Sequence, residues 1–271
     1  MLSSDEETAF RERVEAGPRP EDEVCSLRGK DFQRILAEEF GKLRRLSTIY
    51  NLLHRLGYSY LQPRPRHQHA DFARRQAFIA SLPERLAEIA REHPDRRLRI
   101  YFADEARFGQ QGTMTRVWAK TGSRPAAVRQ TAYQYLWVLG AVCPETGESA
   151  GLLAPRLNTR YVNAFLREFS RTLAADEHAV LLWDGAGFHR SGTLQTPDNV
   201  TTVQLPAYSP ELNPIENLWH YLKSHHWSNR AYADADALEA AAMHAWRKSV
   251  ADPELMKTVC SAAIYRSAGI G

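Results

Sequence analysis

The order of strand-like and helix-like segments between residues 98 and 223 most constrains the fold. A strand-like run in RLRIYFADEARFG, a short strand in TRVWAK and a hairpin whose turn is PETGE come first. A helix in NTRYVNAFLREFSRTLA, a buried strand at residues 179–183, a short strand in VTTVQLP and a final helix follow. This alternation predicts an α/β domain built on a mixed sheet.

Acidic residues lie at the ends of three of these segments. Asp104 and Glu105 end the first run, Asp184 directly follows the buried strand, and Glu216 lies in the first turn of the last helix. The order of elements is that of a ribonuclease-H-like domain, a mixed five-stranded sheet with flanking helices in which the first strand adjoins the strand after the helix. That adjacency would bring Asp104 and Asp184 to one edge of the sheet, where ligands of α/β sheets gather.

The stretch LPAYSPELNPIENLWHYLK fixes the start of the last helix with three prolines, Pro206, Pro210 and Pro214. Asn213 is predicted to cap this helix and Pro214 to occupy its first position, which puts Glu216 at the third. Asn-x-x-Glu resembles a capping box, so a purely structural role for Glu216 stays open. Rigid support of this kind is also how a functional site is held, and the sequence leaves both interpretations in place.

Three carboxylates suit the chemistry of phosphodiester hydrolysis or transfer. Two Mg²⁺ ions about 3.5–4 Å apart can activate the attacking oxygen and stabilise the leaving oxygen. Mg²⁺ prefers hard oxygen ligands, and Asp104, Asp184 and Glu216 supply them without histidine or cysteine. His189 could orient a water or contact a phosphate, and Lys223 could reach a phosphate. Each of these two residues is equally well explained as structural or solvated.

A basic block lies between an acidic stretch and a nearly neutral body. Residues 1–27 carry a charge balance of −5, residues 28–75 one of +7, and the rest +1. Such a block is the electrostatic pattern of a nucleic-acid-binding module, although a solvated basic surface gives it too.

Within this block the pattern predicts a helix-turn-helix. KDFQRILAEEF repeats apolar residues at helical spacing and ends at Gly41, and a second helix capped by Ser47 runs to Gly57. An ordinary helical hairpin is the alternative. The predicted DNA-contacting residues of the turn and second helix are Arg44, Arg45, Thr48, Tyr50, Asn51, His54 and Arg55.

The segment YSYLQPRPRHQH predicts a short aromatic strand followed by a proline-stiffened basic arm. Arg64, Arg66 and His67 of this arm, with His69, suit contacts to a phosphate backbone or a groove. Residues 71–92 are predicted to form helices that break near Pro83 and lead to the larger domain.

The remaining composition excludes other classes. The three cysteines are odd in number and far apart, which predicts neither disulfides nor a zinc site and favours a reducing cytosol. No apolar run approaches the roughly 20 residues that cross a bilayer, and the acidic N-terminus is unlike a signal peptide, so no membrane association is expected.

YFADEARFG, LLWDGAGFH and above all LPAYSPELNPIENLWHYLK resemble the three signature blocks of bacterial insertion-sequence transposases of the mariner superfamily. These are DDE enzymes on a ribonuclease-H-like fold. LHRLGYSYLQPRPRH resembles the end of their winged-helix-like helix-turn-helix region. The resemblance makes Asp104, Asp184 and Glu216 the metal-binding catalytic acids, with Glu105 a neighbour. It implies Mg²⁺ as cofactor, two ions per site, with Mn²⁺ as a substitute.

The resemblance also implies partners and a domain plan. The family cuts double-stranded DNA at terminal inverted repeats and joins the 3′ ends to target DNA, commonly as a dimer. The expected plan is an acidic tail over residues 1–25, the helix-turn-helix over 26–66, a helical linker over 67–96 and the catalytic domain with C-terminal helices over 97–271.

Two other functions stay open from the sequence. Family members usually carry a further helix-turn-helix upstream of the matched region, where this chain has only the acidic stretch. A non-catalytic, truncated DNA-binding remnant is therefore one alternative. A ribonuclease-H-like nuclease acting on other nucleic acids is the second.

Overall fold

A computed structural model describes residues 2–61, 71–110, 114–128, 130, 133–189, 192–262 and 265. The chain divides into two compact units, Met1–Pro65 and Arg66–Gly271. Among the described residues, none of the helices combines the length and apolarity needed to cross a membrane.

The first unit contains three α-helices: α1 (Ser4–Glu15), α2 (Gly29–Glu38) and α3 (Leu46–Arg55). The chain leaves α2 through Gly41 and α3 through Gly57, both at positive φ, as expected of residues that end helices. The predicted pair of helices is therefore present.

The acidic stretch expected as a tail instead forms α1, which belongs to the core of this unit. Phe10 of α1 is fully buried and clusters with Phe32 and Ile35 of α2 and Ile49 of α3. A capping box in which Ser3 and the third helical residue bond reciprocally begins the helix. The apolar side of α1 therefore packs this stretch against α2 and α3, although the stretch is acidic overall.

Buried ion pairs also tie α1 to the rest of the first unit. Arg13 is 3% exposed, and its guanidinium contacts Asp22 at 2.5 Å and Glu39 at 3.0 Å. Arg34 of α2 reaches the other Asp22 oxygen at 2.6 Å. The backbone N–H of Arg19 and these arginines hold the pKa of Asp22 well below its usual range.

Two local predictions in this unit were wrong. Ser47 does not cap α3, because the helix begins at Leu46 with Arg45 at the capping position and no side-chain cap. Residues 58–61 form no strand, because their backbone pairs with no neighbouring strand in the described part of the chain. The basic arm with Arg64, Arg66, His67 and His69 lies outside the described residues.

The second unit is a five-stranded sheet flanked by helices, as predicted. Its strands are β1 (Arg97–Gly109), β2 (Tyr135–Val142), β3 (Ser149–Ala154), β4 (Glu177–Trp183) and β5 (Val200–Gln204). Its helices are α4 (Phe72–Glu92), α5 (Thr159–Thr172), α6 (Ile215–Leu222), α7 (Ala235–Val250) and α8 (Pro253–Val259).

The sheet is mixed, with the order β3-β2-β1-β4-β5. Strands β1, β2 and β3 pair antiparallel, whereas β4 lies parallel to both β1 and β5. The hairpin of β2 and β3 turns at Gly147, whose φ of 76° suits glycine. The predicted adjacency of β1 and β4 is thus present in the structure.

The two faces of the sheet bury two separate cores. Phe102 and Leu182 face a core that contains α4, α6, α7 and α8, whereas Tyr101 and Leu181 face α5. Because side chains alternate along a strand, consecutive acids on β1 belong to opposite faces.

Three predictions in this unit need correction. β1 continues to Gly109 through its pairing with β2, so Asp104 and Glu105 lie within the strand and not at its end. Residues 115–120 form no strand. Helix α4 runs unbroken through Pro83, because Leu82 and Ile89 are anchored in the core and offset the one missing backbone bond.

Candidate active site

Asp104 lies on β1 at the level where the parallel pairing with β4 ends. The last parallel pair is Phe102 with Leu182, so the same register carried two residues further sets Asp104 beside Asp184. Asp104 faces the α6 side, and its Oδ2 accepts a hydrogen bond of 2.8 Å from Nε1 of Trp219. Burial and the charges of Glu216 and Glu105 raise the pKa of Asp104 to about 8.

Asp184 directly follows β4 and is exposed. Its Oδ1 accepts a hydrogen bond of 3.0 Å from the backbone N–H of Ala186, which closes a tight turn. The same oxygen lies 3.0 Å from Nδ1 of His189. The turn therefore holds the carboxylate against its own loop while leaving it open to water.

Glu216 is solvent-accessible on the first turn of α6. The segment before it is anchored at both ends: the N–H of Leu205 donates to the carbonyl of Trp183 at 2.7 Å, and Tyr265 Oη donates to the carbonyl of Leu212 at 2.7 Å. Partial desolvation raises the pKa of Glu216, the charge of Lys223 lowers it, and the charge of Asp184 raises it.

The predicted capping role of Asn213 is wrong. Helix α6 begins at Ile215 with Pro214 at the capping position and no side-chain cap. Asn213 is 6% exposed, and its Nδ2 instead donates to the carbonyl of Ala103 on β1 at 2.9 Å. The backbone N–H of Asn213 donates to the carbonyl of Pro210, so Glu216 forms no reciprocal capping bond and its carboxylate remains available.

The three acids come from distant parts of the chain and share one electrostatic environment. The charge of Glu216 raises the pKa of Asp104, and the charge of Asp184 raises the pKa of Glu216. In these side-chain conformations no three histidine, cysteine, aspartate or glutamate side chains of the described residues are arranged to hold one metal ion. Asp184 instead contacts its own loop, through the Ala186 N–H and His189.

The donor set fits a hard divalent cation. All three side chains offer carboxylate oxygens, the ligands that a hard divalent cation prefers. Binding would require Asp184 to turn from its loop toward Asp104 and Glu216.

His189 links Glu105 to Asp184 on the α5 side of the sheet. Its side chain is 1% exposed, stacks on Trp183 at 3.9 Å between ring centroids, and places Nε2 2.9 Å from Glu105 Oε1. Burial alone would lower its pKa, but the bonds to Asp184 and Glu105 raise the pKa to about 9. Glu105 is thereby paired with an imidazolium and lies on the sheet face opposite Asp104.

Lys223 ends α6 and begins a π-helical turn, Lys223–Trp227. It is exposed, two helical turns from Glu216, and its charge lowers the pKa of Glu216. Lys223 therefore places a positive charge near Glu216 on the solvent side.

Two residues that position the acids escaped the sequence reasoning. The bonds of Trp219 to Asp104 and of Asn213 to Ala103 depend on how α6 crosses β1. The periodicity of the sequence does not give this crossing. The signal available was spacing: Asn213 and Trp219 lie three residues on either side of Glu216.

The predicted DNA-contacting residues that the structure describes are all solvent-accessible in the first unit, namely Arg44, Arg45, Thr48, Tyr50, Asn51, His54 and Arg55. Arg55 forms an ion pair with Glu7 of α1. Its charge is thus partly engaged within the unit, whereas Asn51 and His54 present neighbouring helical positions to solvent.

Comparison with known families agrees with this fold. Residues 99–239, just over half of the chain, match the DDE superfamily endonuclease family, and residues 23–82 match the winged helix-turn helix family. The chain therefore belongs to the DDE superfamily of endonucleases and carries a winged helix-turn-helix.

The chain is also similar to individual proteins, one of them a transposase. The chain is 40% identical over 119 residues to the uncharacterized protein y4pE/y4sA of Sinorhizobium fredii, covering 44% of this chain and 88% of that protein. It is 26% identical over 174 residues to the Tc3 transposase of Caenorhabditis elegans, covering 60% of this chain and 53% of that transposase. The chain also superimposes on the crystal structure of the Mos1 mariner paired end complex with Mn, with a TM-score of 0.66 and 14% sequence identity. The superposition covers 98% of this chain and 78% of the Mos1 chain. The predicted DDE family is confirmed by the family match, and the likeness to the Mos1 structure confirms the ribonuclease-H-like fold.

Proposed function

We propose that this chain cuts DNA at the ends of the insertion sequence that encodes it and joins the freed 3′ ends to target DNA. Divalent cations for this reaction would be held by Asp104, Asp184 and Glu216. The observation that carries this proposal is that Asn213 and Trp219, on either side of Glu216, bond to Ala103 and Asp104, so that α6 is held with Glu216 against the part of β1 that carries Asp104. Mg²⁺ is the proposed cofactor, two ions per site, with Mn²⁺ as a substitute. Mos1 paired end complexes with Mn and with Mg support that choice.

Bound cations would activate the attacking oxygen and stabilise the leaving oxygen of the phosphodiester. The chain's own residues prepare the site for them. Trp219 and Asn213 hold β1 against α6, which fixes Asp104 relative to Glu216. His189 orients the loop that carries Asp184. Lys223, on the solvent side, is available to a DNA phosphate.

Double-stranded DNA is the proposed partner of both units. The exposed, acid-free surface of α3 supports phosphate and base contacts in the first unit. We expect DNA binding to weaken steeply with salt, because each neutralised phosphate releases counterions. Joining two element ends also implies a second copy of the chain, which sedimentation of the chain with end-containing DNA would reveal as a dimer.

The test uses a supercoiled plasmid that carries the genomic DNA flanking both sides of the gene. With Mg²⁺ or Mn²⁺ we expect nicking and strand transfer, reduced at least about 100-fold in Asp184→Asn and Glu216→Gln because charge stabilisation of the transition state is lost. Asp176→Asn, a neutralised acid with 68% side-chain exposure, serves as the control and should leave the activity unchanged.

The other functions give different results in the same experiment. A DNA-binding remnant would bind the plasmid in a salt-sensitive way without cleaving it under either cation. A nuclease of other specificity would cleave an RNA–DNA hybrid but would not join a 3′ end to a second duplex. Unchanged activity in Asp184→Asn would refute the assignment of the site.

A further inference from the structure

The indole of Trp219 makes a direct bond to an acid of the site. Its Nε1–H donates to Asp104 Oδ2 at 2.8 Å, and the side chain of Trp219 is almost fully buried at 2% exposure. A carboxyl oxygen accepts this hydrogen bond in either protonation state, and the bond strengthens when the group ionises, as it must to bind a cation. One oxygen of Asp104 is therefore held by Trp219, which limits the rotation of the carboxyl group.

The same helix carries this bond and a second acid of the site. Trp219 lies three residues after Glu216, about one helical turn away. On the other side of Glu216, Asn213 donates to the carbonyl of Ala103, the residue before Asp104. Adjacent residues of β1, Ala103 and Asp104, thus accept one hydrogen bond from each side of Glu216. These two bonds fix the separation of Asp104 and Glu216.

The position of the indole is in turn fixed by two glycines. Gly140 of β2 pairs with Asp104, and a Cβ there would lie 2.8 Å from Trp219 Cη2. Gly151 pairs with Gly140 across β2 and β3, and a Cβ at Gly151 would lie 2.5 Å from Trp246. The two indoles lie 6.1 Å apart between ring centroids. The absence of a Cβ at these two positions leaves the space that both rings occupy.

We propose that Trp219 is a positioning residue that holds the Asp104 carboxyl group in one orientation before a divalent cation binds. This inference rests on the proposed function, because it concerns the same three acids. Removing the indole N–H frees the Asp104 carboxylate to rotate, and a cation must then order it. Groups that orient metal ligands typically contribute a 10- to 100-fold factor to metal affinity.

Mn²⁺ binding to the full chain without DNA tests the proposal by titration calorimetry or by the loss of the free Mn²⁺ electron-spin signal. We expect Trp219→Phe to weaken Mn²⁺ binding about 10- to 100-fold. Trp246→Phe is the matched control, since it removes an indole N–H from the same pair of rings without a hydrogen bond to an acid among the described residues. Its Mn²⁺ affinity should stay within about twofold of the wild type. Equal affinities in the two variants would overturn the inference.

A second measurement on the unaltered protein keeps the proposal testable if Trp219→Phe does not fold. The indole N–H of Trp219, assigned through ring contacts to Gly140, should exchange slowly with deuterium in the cation-free protein. Exchange as fast as that of the exposed Trp118 indole would contradict the bond to Asp104. If the wild type itself binds no Mn²⁺, the proposed function fails first. If the wild type binds Mn²⁺ and the two variants have equal Mn²⁺ affinities, only the inference about Trp219 fails.

Discussion

Neutralising Asp104 should stabilise the cation-free protein, and increasingly so as pH rises. Burial and two neighbouring charges raise the pKa of Asp104 from 3.8 to about 8. Between those values the folded chain retains a proton that the unfolded chain has lost. The free energy of unfolding therefore falls by about 1.4 kcal/mol per pH unit through this window. The amide that replaces the carboxyl group in the variant Asp104→Asn cannot ionise, so this loss is absent.

The magnitude follows from that slope. Relative to the wild type, the unfolding free energy of Asp104→Asn should grow by about 2.5–3 kcal/mol between pH 5 and pH 7. His189, whose pKa is raised to about 9, stabilises the fold below its unfolded value and loses that contribution as pH approaches 9. It is present in both proteins, so its contribution cancels in the difference.

Urea unfolding followed by tryptophan fluorescence measures the effect in EDTA at pH 5, 6 and 7. All six tryptophans lie in the second unit, so the signal reports the unit that carries the site. Asp176→Asn, exposed at the start of β4, should follow the wild type at every pH. A difference between Asp104→Asn and the wild type that does not change with pH would refute the raised pKa of Asp104, and with it the burial and the neighbouring charges of Glu216 and Glu105 that raise it.

Three further substitutions test the supports of the site and of the first unit. Asn213→Ala should lower the free energy of unfolding by about 1–3 kcal/mol, because the Ala103 carbonyl loses its donor. The control Asn217→Ala, at an exposed position, should leave this free energy unchanged. Equal effects of the two substitutions would count against the bond between Asn213 and Ala103. Gly151→Ala should cost about 1–3 kcal/mol by overpacking against Trp246, while Gly192→Ala, with open space around it, should cost little. Phe10→Ala should destabilise the first unit by about 3–5 kcal/mol in circular dichroism melts, and unchanged melting would mean that α1 is dispensable.

Much of the second unit could be predicted from the sequence because its elements carry local signals. The continuous apolar run before Asp184 predicts a buried strand, and β4 is buried along its whole length. Gly147 in the PETGE turn predicts the hairpin that β2 and β3 form. The neighbouring positions of β1 and β4 followed from the order of elements alone, and this adjacency sets Asp104 beside Asp184.

The remaining features depend on contacts that local pattern does not encode. Continuation of β1 beyond Asp104 is decided by its pairing with β2, which compensates for two acids in mid-strand. The unbroken α4 depends on core packing that outweighs Pro83. The folding of α1 did have a local signal, since Ser3-x-x-Glu6 is typical of a capping box, but the charge balance of the stretch obscured it.

The most direct test of the shared acid site is a crystal structure of the full chain soaked in Mn²⁺, with anomalous diffraction to locate the ions. The account predicts anomalous peaks between Asp104, Asp184 and Glu216, with Asp104 Oδ2 still bonded to Trp219 and Asp184 turned away from the Ala186 N–H. Peaks that avoid these carboxylates, or ions held by Glu105 in place of Asp104, would contradict it.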